Sequence, residues 1–372
     1  MKKQFPSRRN FIRTVSTAVG GIALSPLYSF GCMESSQKSQ NDQNKKLGIA
    51  LVGLGGYSRG QLAPALQETS HCYLAGVVSG TPSKISDWQD RYKIPKENCY
   101  NYETFDEVAK NPAIDIIYVV LPPSMHKEFT IRGAKAGKHV ICEKPMAMNA
   151  DECAEMIAAC KKADRMLSIG YRLHFEPHNM EMMRLGQQKV YGKVLSIDTA
   201  NGFTYGGDPN AWRLKKAMGG GPLMDMGIYS IQGSRYTTGE EPTLVTARQA
   251  ETNNPLFKEV EETISWELEF PGGAKATGET SFARNYSYLR ATAEKGKFEI
   301  EPAYGYGGQD GKTPKGPMNF PQVYEQALQM DDFAQCIMQK KATRVPGEMG
   351  MMDMKVIDAI FRSVKSGKKE KV

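Results

Sequence analysis

No C-x-x-C pair occurs among the seven cysteines of this chain, and no cysteine–histidine cluster has the spacing of a zinc site. Cys72, Cys142, Cys153 and Cys160 stand instead in apolar or helical stretches and read as buried thiols. Long apolar runs are missing too. Residues 15–27 are apolar but too short and too rich in small residues to span a bilayer. No segment repeats. A basic surface is also lacking. Residues 1–46 carry net +6, from eight Lys/Arg and two acids, which leaves +1 of the chain's +7 for everything after them. The basic excess belongs to the leader and makes no case for nucleic-acid binding.

The leader itself holds Ser7-Arg8-Arg9-Asn10-Phe11-Ile12 ahead of the apolar tract 15–27. That order is the pattern of a twin-arginine export signal, which predicts a periplasmic protein delivered already folded. Ser29-Phe30-Gly31-Cys32 has the glycine and cysteine of a lipoprotein box but a serine where a large aliphatic residue is usual. A lipid tether at Cys32 therefore stays open. Residues 34–46 are rich in Gln, Ser, Asn and Lys and read as a polar tether.

At 372 residues the chain has room for roughly two domains. The first centres on Leu47-Gly48-Ile49-Ala50-Leu51-Val52, followed by Gly53-Leu54-Gly55-Gly56-Tyr57-Ser58. This is a strand, a tight turn and a helix start. Gly53 and Gly55 supply two places of a dinucleotide fingerprint and Ser58 stands in the third. Gly53 makes the turn, and Gly55 lets the backbone approach a pyrophosphate lying on the helix N-terminus. Further apolar strands at 72–78, 114–121, 139–142 and 166–170 alternate with helical stretches at 58–69, 82–92, 124–136 and 150–163. That alternation predicts an α/β, Rossmann-like doubly wound parallel sheet over residues 47–170.

From about residue 191 the texture changes. Stretches 194–201, 243–250, 259–270, 274–282, 287–293 and 297–300 read as strands. Ile264, Trp266, Leu268 and Phe270 alternate with Thr263, Ser265, Glu267 and Glu269, the period of a sheet with one covered face. Residues 171–372 are thus expected to form an α/β substrate and oligomerisation domain around a large, mostly antiparallel open sheet. Its last helices, 322–340 and 351–366, are free to pack back on the first domain.

The end of the second strand lacks the acid that usually holds the ribose of NAD. It reads Val77-Val78-Ser79-Gly80-Thr81-Pro82-Ser83-Lys84. Ser79 and Lys84 suit a 2′-phosphate, so NADP is expected, with NAD as second choice. Glu143-Lys144-Pro145 follows one strand end. Leu121-Pro122-Pro123-Ser124, with His126, follows another, and Gly170-Tyr171-Arg172 a third. In α/β sheets these ends face the ligand crevice. A second cluster runs Trp212-Arg213-Leu214 and then Gly219-Gly220-Gly221-Pro222-Leu223-Met224-Asp225-Met226-Gly227-Ile228-Tyr229. Asp225 and Tyr229 are four apart and share a helix face, and the glycines admit a ligand closely. A phenol beside a lysine is suited to exchange a proton with an alcohol, so Tyr229 is a candidate acid/base.

With these segments assembled, the chain resembles the Gfo/Idh/MocA oxidoreductases, and within them the glucose–fructose branch. The likeness rests on the twin-arginine leader, the GLGGYS turn, Glu143-Lys144-Pro145 and the GGGPLMDMGIY segment, and spans nearly all of residues 47–365. The resemblance implies that Lys144 orients the reacting oxygen and that Tyr229 exchanges the proton with Asp225 beside it. By matching position, Ser79, Lys84 and Tyr102 hold the adenosine phosphate end of the cofactor. Pro122, Ser124, His126, Glu143 and Arg172 lie near the ribose and nicotinamide. Trp212 and Arg213 border the substrate or cofactor. The glucose–fructose enzymes carry a proline-rich arm, but residues 33–46 here contain no proline.

The expected activity is NADP-dependent hydride transfer to or from a sugar or polyol carbon, in a homo-oligomer. Redox-assisted glycoside hydrolysis with retained NAD, and sugar or cofactor binding without catalysis, are the alternatives. Loops 202–210 and 301–309 are expected to shape the substrate pocket, with Tyr304 and Tyr306 as candidate stacking rings.

Overall fold

The structure is a computed structural model that describes residues 46–372. The twin-arginine motif, the apolar tract, Cys32 and all of the tether but its last residue lie outside the described residues.

Strand β1 (Leu47–Val52) is buried along its whole length, as a strand covered on both faces must be. It lies at the centre of a six-stranded sheet with β2 (Cys72–Val78), β3 (Cys99–Tyr100), β4 (Ile116–Val119), β5 (His139–Cys142) and β6 (Leu167–Ile169). The order is β3-β2-β1-β4-β5-β6, and every pair is parallel. The winding direction reverses between β1 and β4, so their carboxyl ends open the crevice in which such sheets bind ligands. The glycine turn leaves β1 there, and Leu121-Pro122 leaves β4.

The second sheet has nine strands. In chain order they are β7 (Val194–Gly202), β8 (Leu244–Gln249), β9 (Thr263–Glu269), β10 (Lys275–Ser281), β11 (Tyr286–Ala293), β12 (Gly296–Ile300), β13 (Gly311–Thr313), β14 (Gly316–Met318) and β15 (Glu370–Lys371). Their order across the sheet is β14-β13-β12-β11-β7-β10-β9-β8-β15. All pairs are antiparallel except β7 with β10. The period-two expectation for β9 holds from Ile264 on: Ile264, Trp266 and Leu268 are buried, while Ser265, Glu267 and Glu269 are half-buried on the other face; Thr263, expected with the latter, is buried. The covered face meets the helices Ile228–Thr238 and Gly347–Ser366.

The helix Pro177–Gln187 is not expected from the sequence, and Ile228–Thr238 is expected only at its start, around Asp225 and Tyr229. Pro177–Gln187 is opened by Glu176, whose carboxylate accepts from the His178 and Asn179 amides. Ile228–Thr238 is buried from Ile228 through Thr237 and therefore shows no amphipathic stripe. The edge strands β3, β13, β14 and β15 are too short to show a period.

The helix Glu325–Gln339 returns to the first sheet. Its Ala327, Met330, Phe333 and Ala334 complete one core with Leu47, Ile49, Leu51 and Leu62. Tyr324 Oη donates to the Gln61 carbonyl at 2.9 Å, and Asp331 accepts from the Ser70 and His71 amides at 2.8 and 2.7 Å.

Candidate active site

A cavity of about 1010 Å3 opens at the carboxyl ends of β1, β2 and β4 and runs to the ends of β7 and β11. Gly53 makes the turn at its floor with φ of +100°, and a Cβ there would lie 2.3 Å from the Val120 carbonyl. Only glycine fits. Gly55 and Gly56 differ, because a Cβ on either would meet nothing within 4 Å and would project into open space. Leu54 and Gly55 give their N–H groups to no acceptor among the described residues. This is a cradle of open backbone at a helix start, and it fits an anion such as a pyrophosphate. Ser58 is fully buried, and its hydroxyl donates to the Gly53 carbonyl at 2.5 Å, locking the turn. The helix starts at Gly56 and carries a π-turn over Ser58–Leu62.

At the end of β2 the cavity is lined by Ser79, Thr81, Lys84 and Tyr102. The Ser79 hydroxyl accepts from the Thr81 amide at 3.1 Å. Lys84 is exposed. Gly80 leaves room for Tyr102, whose ring would lie 2.7 Å from a Cβ at that position. The acids on the cavity wall are Glu143, Asp208 and Asp225, none of them at this end.

Glu143 and Lys144 follow β5. Tyr118 Oη donates to Glu143 Oε1 at 2.7 Å, and the Lys144 amide donates to Oε2 at 3.2 Å. Burial pushes the Glu143 carboxyl up, and Tyr118, Lys144 and Arg172 only partly offset it. Gly170 is required here, because a Cβ would fall 2.4 Å from Glu143 Oε1. Lys144 Nζ donates to the Asp225 carbonyl at 2.6 Å and stands 3.5 Å from Asp225 Oδ1. Arg213 Nε donates to Asp225 Oδ2 at 2.7 Å. Burial alone would raise the Asp225 carboxyl, yet the two cations outweigh it and hold it below the usual carboxylate range.

Asp225 sits in a π-turn, Leu223–Gly227, that runs into the helix carrying Tyr229. The Tyr229 ring stacks on Tyr304 with centroids 6.1 Å apart. Lys144 Nζ lies 4.6 Å from its centroid and the Arg172 guanidinium 5.2 Å. Arg172 is 2% exposed and fixes the tyrosines beside Tyr229. It donates to the Tyr304 carbonyl at 2.6 Å, the Gly305 carbonyl at 2.9 Å and Glu325 Oε1 at 3.0 Å, and stacks under Tyr306 at 4.3 Å. Tyr306 in turn faces Tyr57 of the glycine turn at 6.1 Å, so a ring pair joins the two walls of the cavity.

Most residues expected at the site line this cavity: Gly53, Gly55, Gly56, Tyr57, Ser58, Ser79, Lys84, Tyr102, Leu121, Pro122, Glu143, Lys144, Arg172, Trp212, Arg213, Asp225 and Tyr229. Ser124 and His126 do not. Ser124 is exposed on the first turn of the helix Pro123–Lys135. His126 is 1% exposed, with its ring nitrogens 2.7 Å from the Leu121 carbonyl and 2.9 Å from that of Pro145. It ties two strand-end loops together instead of facing a ligand. The sequence reading also missed Asn201, Tyr286 and Ser287, which reach the cavity from the ends of β7 and β11. Strand ends beside the flagged loops were the available signal.

Residues 47–171 match the family described as "Oxidoreductase family, NAD-binding Rossmann fold", and residues 180–301 match the "GFO/IDH/MocA C-terminal domain". The chain is similar to the crystal structure of aldose-aldose oxidoreductase from Caulobacter crescentus complexed with glycerol. Identity is 43%, the TM-score is 0.86, and the match covers 88% of this chain and 100% of that one. It is 26% identical over 339 residues to the D-xylose 1-dehydrogenase [NADP(+)] of Haloarcula marismortui, covering 88% of this chain and 93% of that protein. It is 31% identical over 303 residues to the trans-1,2-dihydrobenzene-1,2-diol dehydrogenase of Xenopus laevis, covering 77% and 87%. With both sheets, the crevice and these matches in hand, the chain belongs to the Gfo/Idh/MocA oxidoreductase family.

Proposed function

We propose that this protein is an NADP-dependent sugar oxidoreductase acting at a hydroxyl or carbonyl carbon of an aldose or polyol, with Lys144 orienting the reacting oxygen and Tyr229 exchanging its proton. The observation that carries this reading is the convergence of Lys144, Asp225 and Tyr229 in the same cavity as the open glycine turn. The names of the xylose dehydrogenase and the aldose-aldose oxidoreductase support a sugar substrate.

The backbone of Gly55 and Gly56 would hold the cofactor's pyrophosphate. Ser79, Thr81 and Lys84 would hold the 2′-phosphate, since no acid lines that end and Lys84 makes no ion pair among the described residues. When bound, the nicotinamide supplies or accepts the hydride. Lys144 donates one N–H to the Asp225 carbonyl, faces Asp225 Oδ1 at 3.5 Å, and keeps a donor for a substrate oxygen. Asp225, held ionised, fixes Lys144 and Arg213 on one side of that oxygen. Tyr229 Oη takes the alcohol proton during oxidation and returns one during reduction, and its ring is held in place by Tyr304, Lys144 and Arg172.

Export by the twin-arginine route to the periplasm is part of this proposal, supported by Ser7–Ile12 and residues 15–27. Labelling with a radioactive fatty acid decides whether Cys32 carries a lipid. The half-buried polar face of the second sheet supports association of copies, which sedimentation would measure.

The test is mass spectrometry of the small molecules released on denaturing the purified protein, followed by turnover over an aldose and polyol panel with NADP supplied. NADP together with sugar oxidation or reduction is expected. NAD with release of an aglycone, and no net redox change, would transfer the site to glycoside hydrolysis. Binding without turnover over the whole panel would leave a non-catalytic protein.

A further inference from the structure

Glu261 is a buried carboxylate that does not line the cavity. It stands just ahead of β9, is 5% exposed, and is aimed at the turn that launches the Asp225–Tyr229 helix. Its Oε1 accepts from the Leu223 amide at 3.0 Å, the first residue of the π-turn that holds Asp225. Gly221 lies flush against it: φ is +107°, and a Cβ there would fall 2.7 Å from Oε1 and 2.9 Å from Oε2. The triple-glycine stretch therefore does two jobs. Gly219 and Gly221 adopt left-handed turns, and Gly221 also makes room for this carboxylate.

We infer that Glu261 is a positioning residue: it anchors the start of the acid/base helix to the second sheet, and so sets where Asp225 meets Lys144 and where Tyr229 faces the cavity. This inference rests on the roles proposed for those residues. A carboxylate at a helix N-terminus answers both the unpaired amide and the positive end of the helix dipole. Gly219 to Gly221 would otherwise give that start no stiffness of its own. Asp225 lies two residues beyond the anchored Leu223, and its amide donates back to the Gly221 carbonyl at 3.1 Å.

The charge on this anchor is switchable. Burial pushes the Glu261 carboxyl up to about 7, partly offset by its own and the Leu223 amide and by Lys216. Lys216 is the charged side chain acting on it from the turn before the glycines. Its sequence neighbours are engaged elsewhere, Glu259 with Lys215 at 3.2 Å and Glu262 with the Thr252 hydroxyl at 2.7 Å. Asp225, on the helix itself, is held by Lys144 and Arg213. Near neutral pH, loss of the proton turns an ordinary hydrogen bond to Leu223 into a charge-assisted one, which is about twice as strong.

The test compares the full-length wild type with Glu261→Gln and Glu261→Ala. Gln keeps the acceptor but not the titration. The ratio of wild-type to E261Q kcat is expected to be near one at pH 6 and to rise about fivefold by pH 8, with its midpoint near neutrality. E261A is expected to lose kcat about tenfold or more, with cofactor affinity unchanged and kcat at pH 6 restored by E261Q. A ratio flat across this range overturns the inference, and needs only E261Q to fold. A melting-temperature difference between wild type and E261Q that varies with pH while the kcat ratio stays flat would show that Glu261 titrates without positioning anything, and the reading of Lys144 and Tyr229 would stand. Full activity in Tyr229→Phe would instead remove that reading, and the inference with it.

Discussion

At the glycine turn of the first sheet the cavity wall is backbone. Leu54 and Gly55 present open amides, Gly55 and Gly56 border empty space, and Ser58 turns inward to bond the Gly53 carbonyl. Across the cavity the wall is side chains, from the second half of the chain and from Lys144 and Arg172 beyond the ends of β5 and β6. Asp225, Tyr229, Tyr304 and Tyr306 are held by Lys144, Arg172 and Arg213 through bonds that cross the chain. The first wall suits a ligand recognised by its phosphates. The second suits a group that must be oriented and handed a proton. One wall is a local product of six consecutive residues, whereas Lys144 and Asp225 are 81 positions apart and Arg172 and Tyr304 are 132 apart.

If the division is real, the two walls fail differently. The largest effect is expected on the side-chain wall. Lys144→Met and Tyr229→Phe should each lower kcat by about 10²–10⁴-fold while the cofactor dissociation constant, followed by fluorescence titration, changes little. Equal losses in both quantities would break the comparison. The backbone wall should respond in reverse. Gly55→Ala, whose added methyl meets no protein atom, should leave the melting temperature unchanged and weaken cofactor binding by about tenfold or more. Gly53→Ala should instead cost about 2 kcal/mol or more of stability, because its conformation and the Val120 carbonyl both oppose a Cβ.

Smaller effects sharpen the boundary. Lys84→Ala should reduce the preference for NADP over NAD by about fivefold to tenfold without touching kcat, as an exposed phosphate contact would. The smallest effect is one of pH. Asp225 is held below its ordinary pKa, so folding keeps it ionised and gains stability from its two cations at any pH above the unfolded value of about 3.9. That gain fades as acid takes the pH down through the depressed folded value. Wild type should therefore exceed Asp225→Asn in stability by a constant amount from pH 6 to 8, and the gap should close in acid unfolding below about pH 4.

The same contrast explains what the sequence made legible. The glycine turn could be read because strand, turn and helix are contiguous and each glycine answers a local geometric need. Lys144 and Tyr229 could be read as candidates because a strand end and a glycine-flanked helix start mark them. Their partners could not. Arg213 bordering a ligand was expected, but its bond to Asp225 depends on how a loop returns. Arg172 was expected beside the cofactor, and its second task, pinning Tyr304 and Gly305, needs the far end of the second sheet. His126 misled for a related reason. A histidine just past a strand end suits a ligand, yet the His126 ring is buried between two carbonyls, only one of which a neutral imidazole can serve as donor, and burial lowers its affinity for a proton. The helix Ile228–Thr238 carries no periodic signal because it is surrounded.

The helix Glu325–Gln339 has a consequence for how the molecule is made. Its Met330 and Phe333 finish the core that begins at Leu47 and Ile49. A ribosome adds about 5–20 residues per second, so the first strand waits on the order of 15–60 seconds for the side chains that seal its outer layer. The amino-terminal half is therefore not a module that closes on its own as it emerges. Release of nearly the whole chain precedes completion of the sheet that bears the glycine turn, and a fragment stopped near residue 171 would lack the helix that packs on the segment of Leu62, Ala65 and Leu66.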